Sequence, residues 1–322
     1  MKKKIPVMVM SMCLWVMFVP AIVSAQNRNS KVNVHREVAI TFDDLPAAYS
    51  NNDLKRARDI TRNLLRSIKS NNVPAIGFVN ESKLHKRGEV NARAALLRMW
   101  LEAGLELGNH TFSHINIDNV PIDAYEKDVI RGETVVRRLL AEKGMKLRYF
   151  RHPQLHTGPT LEYKRQLEQF LAARGYTIAP VTIDNNDFIF GALYGDAKTS
   201  GDRETMKLVA DAYVAYMESV FDFFEKLSVN SLGYEVKQTL LLHASDLNAD
   251  HFDDLVHMMK RRGYAFISLE EALKDRAYEL PDAQATKGLS WIHRWRLAKG
   301  LALQMEPSEP EFITRLFSAR QH

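Results

Sequence analysis

Two groups of residues in this 322-residue chain could bind a metal ion. Asp43 and Asp44 directly follow Val38–Phe42, an apolar run rich in β-branched residues that predicts a buried strand. Paired charges at the end of such a strand are costly unless a cation offsets them. His110 and His114 are four residues apart, so one helical turn would bring both imidazoles to the same side. Two histidines with a carboxylate from another strand suit zinc or another borderline transition metal, and they leave a position for water.

Seven short apolar segments, each predicted to be a strand, alternate with helical patterns such as the long one at 121–143. The segments are 38–42, 75–79, 105–109, 148–151, 176–183, 238–242 and 265–268. This alternation indicates a parallel α/β sheet, and the chain length favours a barrel. Ionisable residues follow five of the strands, at 43–44, 110–114, 151–152, 184–187 and 243. The carboxyl ends of parallel barrel strands share one face, so we expect these side chains to meet at one mouth.

The same residues resemble the five motifs of the NodB-homology polysaccharide deacetylases, carbohydrate esterase family 4. In family order, the corresponding segments are Thr41–Asp44, His110–His114, Arg151–Pro153, Asp184–Phe188 and Leu241–His243. The resemblance extends over about residues 38–273. It implies a distorted (β/α)7 barrel of the NodB type, which agrees with the count of seven strands.

The resemblance also implies catalytic roles. A divalent metal would be held by three residues, Asp44, His110 and His114. This metal would be Zn²⁺, with Co²⁺, Ni²⁺ or Mn²⁺ as alternatives. Asp43 would be the general base, and Arg151 would pair with it and lower its pKa. His243 would be the general acid, oriented by Asp187 or, alternatively, by Asp184.

Four residues are expected to contact the substrate: Leu241, Phe188, Pro153 and Gln154. Leu241 and Phe188 would line a small pocket for an acetyl methyl group. Phe188 stands where the family often has tryptophan, and Gln154 stands where it often has an aromatic residue. His152 and His156 add imidazoles nearby, either for the metal shell or the substrate or for a structural purpose.

The predicted substrate is an acetylated glycan or oligosaccharide, from which N- or O-linked acetyl groups would be removed. One alternative is a hydrolase of non-sugar amides on the same scaffold. Another is a glycan-binding protein without activity, although a protein without catalysis has no need of both Asp43 and His243.

The first 25 residues are typical of a signal peptide, with three lysines, an apolar run and a small-x-small site at Val23–Ala25. We expect cleavage after Ala25 and export to the periplasm or the medium, with an uncleaved membrane anchor as the alternative. Cleavage removes the only cysteine, Cys13, and three of the 44 basic residues, leaving 41 against 39 acidic residues. The net charge then falls from +5 to +2, which gives no indication of nucleic-acid binding. No stable membrane insertion is expected after cleavage.

The predicted organisation is a signal peptide at 1–25, a leader at 26–37, a catalytic barrel at 38–280 and a helical tail at 281–322. Trp291 and Trp295 are four residues apart in the tail and would share one helix face. That face would either dock on the barrel or offer sugar rings a stacking surface.

Overall fold

A computed structural model of the protein describes residue 1 and residues 36–49, 52–285 and 287–320. The predicted signal peptide, apart from residue 1, and nearly all of the predicted leader lie outside the described residues. Within the described part of the chain, no helix has the length and apolar character needed to cross a membrane.

Each of the seven predicted strands overlaps one strand of the structure. The strands are β1 Arg36–Leu45, β2 Ala75–Val79, β3 Glu106–Asn109, β4 Tyr149–Phe150, β5 Thr177–Ile178, β6 Gln238–His243 and β7 Tyr264–Ile267. All of their pairings are parallel, in the order β5-β4-β3-β2-β1-β6, and β7 pairs with the first residues of β1.

The two ends of this sheet are joined by the chain that continues from β5. Ile183 forms a parallel bridge with Leu240 of β6, and the Leu241 amide donates to the Ile183 carbonyl at 3.2 Å. On the opposite side, β3 and β4 share a single residue pair, Asn109 with Phe150. The sheet is therefore a distorted (β/α)7 barrel, as predicted.

Eleven α-helices are found in the described residues. They are α1 Leu54–Ser70, α2 Val90–Glu102, α3 Ile122–Arg131, α4 Thr134–Ala141, α5 Leu161–Ala173, α6 Asp187–Ser200, α7 Arg203–Leu232, α8 Asp246–Arg261, α9 Leu269–Ala272, α10 Trp291–Ala298 and α11 Glu311–Ala319. Side chains cap several of them. For example, Asp53 accepts from the Arg56 amide at the start of α1, and Ser245 accepts from the Asn248 amide at the start of α8.

The prediction of one helix over 121–143 is wrong, because α3 and α4 are separate. They part at Gly132, where an added Cβ would lie 2.5 Å from the backbone carbonyl carbon of Thr111. The buried side chain of Glu81 then accepts from the first amides of α4, at Val135 (2.6 Å) and Val136 (2.8 Å). This carboxylate supplies a cap that the sequence of α4 itself lacks.

Helix α6 was not predicted, and it contains two glycines that allow close packing. A Cβ at Gly195 would lie 2.7 Å from the Arg56 guanidinium. In the tail, Trp291 and Trp295 are 5% and 1% exposed, so they serve packing rather than a stacking surface. The Trp295 ring lies edge-on to Tyr278, with centroids 5.5 Å apart.

Candidate metal and catalytic site

The end of β1 directs both neighbouring aspartates to the mouth of the barrel. Successive strand residues normally face opposite sides of a sheet. Here Asp44 has a φ of 69°, and the pairing of β1 with β2 shifts register between Phe42 and Leu45. The turned backbone allows Asp43 and Asp44 to share one cavity, where Asp43 is buried and Asp44 half-buried.

Asp44, His110 and His114 form the one group of metal-ligand side chains found among the described residues. The Asp44 Oδ1 atom lies 3.9 Å from His110 Nε2 and 3.8 Å from His114 Nε2. The Nδ1 of His110 lies 2.9 Å from the Arg151 carbonyl, which can only accept, so this nitrogen carries the proton. The Nε2 lone pair of His110 is therefore available to a metal.

The segment from His110 to His114 is a loop and not the expected helical turn. Thr111 and His114 have φ values of 64° and 57°. Side chains hold the loop in place: the Thr111 hydroxyl accepts from the His114 amide at 3.1 Å, and Asp128 accepts from the Ser113 amide at 2.9 Å. The two imidazoles still meet, with ring centroids 5.0 Å apart.

The electrostatics of this group suit a cation. Burial lowers the pKa of His110 and of His114, which keeps both rings neutral at pH 7. Burial also acts to raise the pKa of Asp44, but Lys83 and His114 outweigh it and the pKa is lowered. The Lys83 ammonium lies 3.2 Å from Asp44 Oδ2 and donates to the Asp44 carbonyl at 3.0 Å.

Asp43 lies beside the metal-ligand group. Its Oδ2 atom is 3.7 Å from His110 Nε2 and 3.5 Å from the Arg151 guanidinium, as expected. The expectation that Arg151 lowers the pKa of Asp43 below its ordinary value is, however, wrong. Burial raises the pKa of Asp43 to about 6, and the opposing attraction of Arg151 is smaller. Arg151 is itself fully buried, and it also donates to the Thr41 hydroxyl at 3.0 Å.

His243 at the end of β6 is bound by Asp187 at the start of α6. The Nδ1 of His243 lies 2.6 Å from Asp187 Oδ1, and its backbone amide donates to Oδ2 at 2.8 Å. Asn248 also donates to Oδ2, at 2.8 Å. Burial acts to lower the pKa of His243, but the Asp187 charge and hydrogen bond outweigh it and raise the pKa to about 9. No bond joins Asp184 to His243 among the described residues; burial and then Glu306 raise the pKa of Asp184 to about 7.

These groups surround a cavity of about 450 Å³. Of the four expected substrate contacts, Leu241, Phe188 and Gln154 line it, whereas the buried Pro153 does not. The lining residues that sequence reasoning missed include Tyr49, Leu155, Asn185, Asn186 and Gly288. Tyr49 could have been suspected from its nearness to the aspartate pair, but nothing in the sequence marks Gly288.

His152 and His156 have different environments. His152 is buried, stacks on Trp291 with ring centroids 6.5 Å apart and does not line the cavity. Burial lowers its pKa to about 3, so it stays neutral. His156 lines the cavity and is hydrogen-bonded to Asp118.

Comparison with known proteins identifies the family. Residues 31–179 match the family described as polysaccharide deacetylase. Over these residues the chain therefore has a domain of the NodB-homology polysaccharide deacetylase family. The match includes the aspartate pair, the two histidines and Arg151, and it ends before Asp187 and His243.

One curated relative is the peptidoglycan-N-acetylglucosamine deacetylase of Bacillus cereus. It is 34% identical over 103 residues, which are 32% of this chain and 32% of the relative. The chain therefore matches about one third of that relative's length.

Similar solved structures include a peptidoglycan deacetylase of Bacillus subtilis, at 20% identity and a TM-score of 0.46, covering 75% of this chain and 93% of that one. A family 4 acetyl xylan esterase of Clostridium thermocellum, solved with a cobalt ion, has 21% identity and a TM-score of 0.46, covering 74% and 90%. A family 4 pseudoenzyme of Bacillus anthracis has 14% identity and a TM-score of 0.46, covering 74% and 66%.

Proposed function

We propose that this family member is a metal-dependent hydrolase that removes acetyl groups from a carbohydrate. The observation that carries the proposal is the meeting of three elements at one cavity. These are the metal-ligand group, the buried carboxylate of Asp43 and the His243–Asp187 pair. A hydrolase that uses an activated water needs a cation site, a base and an acid at such a place.

The residues fit a divalent ion. Ligands about 2.1 Å from a tetrahedral ion are separated by about 3.4 Å. The separations of 3.9 Å and 3.8 Å around Asp44 Oδ1 need only small side-chain adjustments to reach this value. Asp44 Oδ1 is also buried without a hydrogen-bond partner among the described residues, which is costly unless a cation satisfies it. Two imidazoles and one carboxylate favour Zn²⁺, and Co²⁺, Ni²⁺ or Mn²⁺ remain compatible.

A divalent ion bound there would lower the pKa of a water molecule and polarise the acetyl carbonyl. The chain's own residues supply the proton transfers. Asp43 accepts a proton from the attacking water, and Arg151 balances the buried charge of Asp43. As the new C–O bond forms and the C–N or C–O bond of the acetyl group breaks, His243 donates a proton to the departing atom. Asp187 holds the imidazolium in place, and acetate is released.

The family and the relative from Bacillus cereus support an acetylated glycan such as peptidoglycan as the substrate. The polar lining of the cavity offers hydrogen bonds to sugar hydroxyls, while Leu241 and Phe188 add apolar surface for the acetyl methyl group. Export through residues 1–25 stays a prediction.

The test is release of acetate from a panel of acetylated glycans by protein freed of metal and then reloaded. We expect no turnover after chelation and recovery with Zn²⁺ or Co²⁺. Full activity of protein shown by elemental analysis to be metal-free would contradict the metal dependence. Turnover of simple amides without any glycan would favour a non-sugar amidase, and glycan binding without turnover would favour an inactive binding protein.

A further inference from the structure

The cavity has a second histidine–carboxylate pair besides His243–Asp187. His156 lines the cavity, and its Nδ1 is hydrogen-bonded to Asp118 Oδ2. The two side chains are 18% and 19% exposed. His156 does not belong to the metal-ligand group, whose members are Asp44, His110 and His114.

The pair is held by hydrogen bonds from three segments of the chain. Asp118 lies in a short 3₁₀ helix, Ile117–Asn119, just after His114. Asn116 accepts from the Asp118 amide at 2.8 Å, and its side-chain nitrogen donates to Gln154 Oε1 at 2.8 Å. The cavity wall that precedes His156 is therefore tied to the loop that carries the metal-ligand histidines.

The C-terminal tail supplies the third connection. The fully buried Arg294 donates to the Leu155 carbonyl at 2.5 Å and to the Thr157 hydroxyl at 3.0 Å, on either side of His156. Gln154 and Leu155 have φ values of 55° and 56°, an uncommon backbone that these contacts maintain. An added Cβ at Gly288 would lie 2.2 Å from the Gln154 carbonyl, so the tail packs directly on this turn.

These contacts determine which ring nitrogen of His156 is available to hydrogen-bond a molecule in the cavity. Asp118 engages Nδ1, and no partner of Nε2 is found within the described part of the chain. A ring with Nδ1 bonded to a carboxylate presents Nε2 as an acceptor when neutral and as a donor when protonated. In either form it can hydrogen-bond a hydroxyl group.

We propose that His156, oriented by Asp118, is a substrate-positioning residue that hydrogen-bonds a hydroxyl group of the sugar unit carrying the acetyl group. The inference rests on the proposed glycan substrate. The proposed role requires that the His156 imidazole be fixed on the cavity wall. It must also lie outside the metal-ligand group and be separate from the His243–Asp187 pair. The contrasting role is purely structural, in which the pair only links two loops.

The test uses the zinc-loaded full chain with His156→Ala, His156→Gln and Asp118→Asn. A chito-oligosaccharide and 4-nitrophenyl acetate, which has no sugar, are compared as substrates, and the dissociation constant of the oligosaccharide is measured by calorimetry. Loss of one hydrogen bond should raise KM and the dissociation constant for the oligosaccharide about three- to tenfold in His156→Ala. Turnover of the small ester should change less than about twofold, and His156→Gln should recover part of the loss.

The surface pair of His251 and Asp254, joined at 2.8 Å on α8, provides a matched control, so His251→Ala should leave all values unchanged. Unchanged oligosaccharide binding in His156→Ala would overturn the inference. So would equal losses on the ester and the oligosaccharide, because a purely structural link affects both. If the wild-type protein binds the oligosaccharide without hydrolysing it, the proposed function fails, and the dissociation constants still decide the role of His156.

Discussion

Replacement of Asp187 by asparagine probes the proposed general acid. Asp187 is 1% exposed and accepts three hydrogen bonds, from the amide and Nδ1 of His243 and from the Asn248 side chain. Asparagine has nearly the same shape but no charge, and its amide nitrogen cannot accept a hydrogen bond. The substitution therefore removes the main influence that holds His243 in its protonated form.

The magnitude follows from the His243 pKa of about 9. Without the Asp187 charge, burial is largely unopposed, and the pKa should fall to the ordinary value of about 6.5 or below. With a pKa of about 6.5, the imidazolium fraction at pH 8 would drop from about nine-tenths to a few hundredths, whereas at pH 6 it would change less than about twofold. A lower pKa would deepen the loss at pH 8 more than the loss at pH 6. The ratio of wild-type to Asp187→Asn rates on an amide should therefore be at least about tenfold larger at pH 8 than at pH 6.

The assay is a pH–rate profile on an acetanilide-type amide and on 4-nitrophenyl acetate. A nitrophenolate leaves without a proton, so the ester should be much less sensitive to the substitution than the amide. Asp246→Asn is the matched control, because Asp246 is also buried and bears charge, and it pairs with Arg56 at 2.6 Å rather than with His243. This control should destabilise the fold without moving the alkaline limb of the profile.

Two results would refute this reasoning. One is an alkaline limb that lies at the same pH in Asp187→Asn as in the wild type, which would mean that Asp187 does not set the protonation of His243. The other is an equal, pH-independent loss on the amide and the ester, which would place His243 in a role other than proton donation.

Two further predictions concern Asp43–Asp44 and Glu81. Asp44→Ala should lose both metal and activity, whereas Asp43→Asn should keep the metal and the fold and lower kcat by about 10²–10⁴, the range for a general base. The measurements are the metal content and the kcat of both variants. If Asp43→Asn is the variant that lacks metal, the two roles are reversed. Burial raises the Glu81 pKa to about 7, so the folded state retains a proton that the unfolded chain releases above about pH 4.5. The Glu81 contribution to stability should fall by on the order of 2 kcal/mol as pH rises through that window. Glu81→Gln should remove this part of the pH slope in urea unfolding at pH 5 and 7.5, while the parts from Asp43 and Asp184, whose pKa values burial also raises, remain. An unchanged slope would contradict the assignment.

Several features of this protein could be predicted from the sequence because they depend on local patterns. Strands such as Val38–Phe42 are apolar runs bounded by charges, and the carboxyl ends of parallel strands must share one face. These two features together predict that Asp43, His110 and His243 meet at one mouth of the barrel. The structure confirms the seven-stranded barrel and the common cavity.

Other features depend on contacts between residues far apart in the chain, and only the tertiary structure decided them. Asp187 rather than Asp184 binds His243, because the start of α6 meets the end of β6 across 56 residues of sequence. The left-handed backbone at Thr111 and His114 replaces the helical turn that spacing alone indicated, since packing and side-chain hydrogen bonds outweigh local preference. The tail that holds the turn before His156 lies more than 100 residues away, and no local pattern could reveal where its arginine would dock.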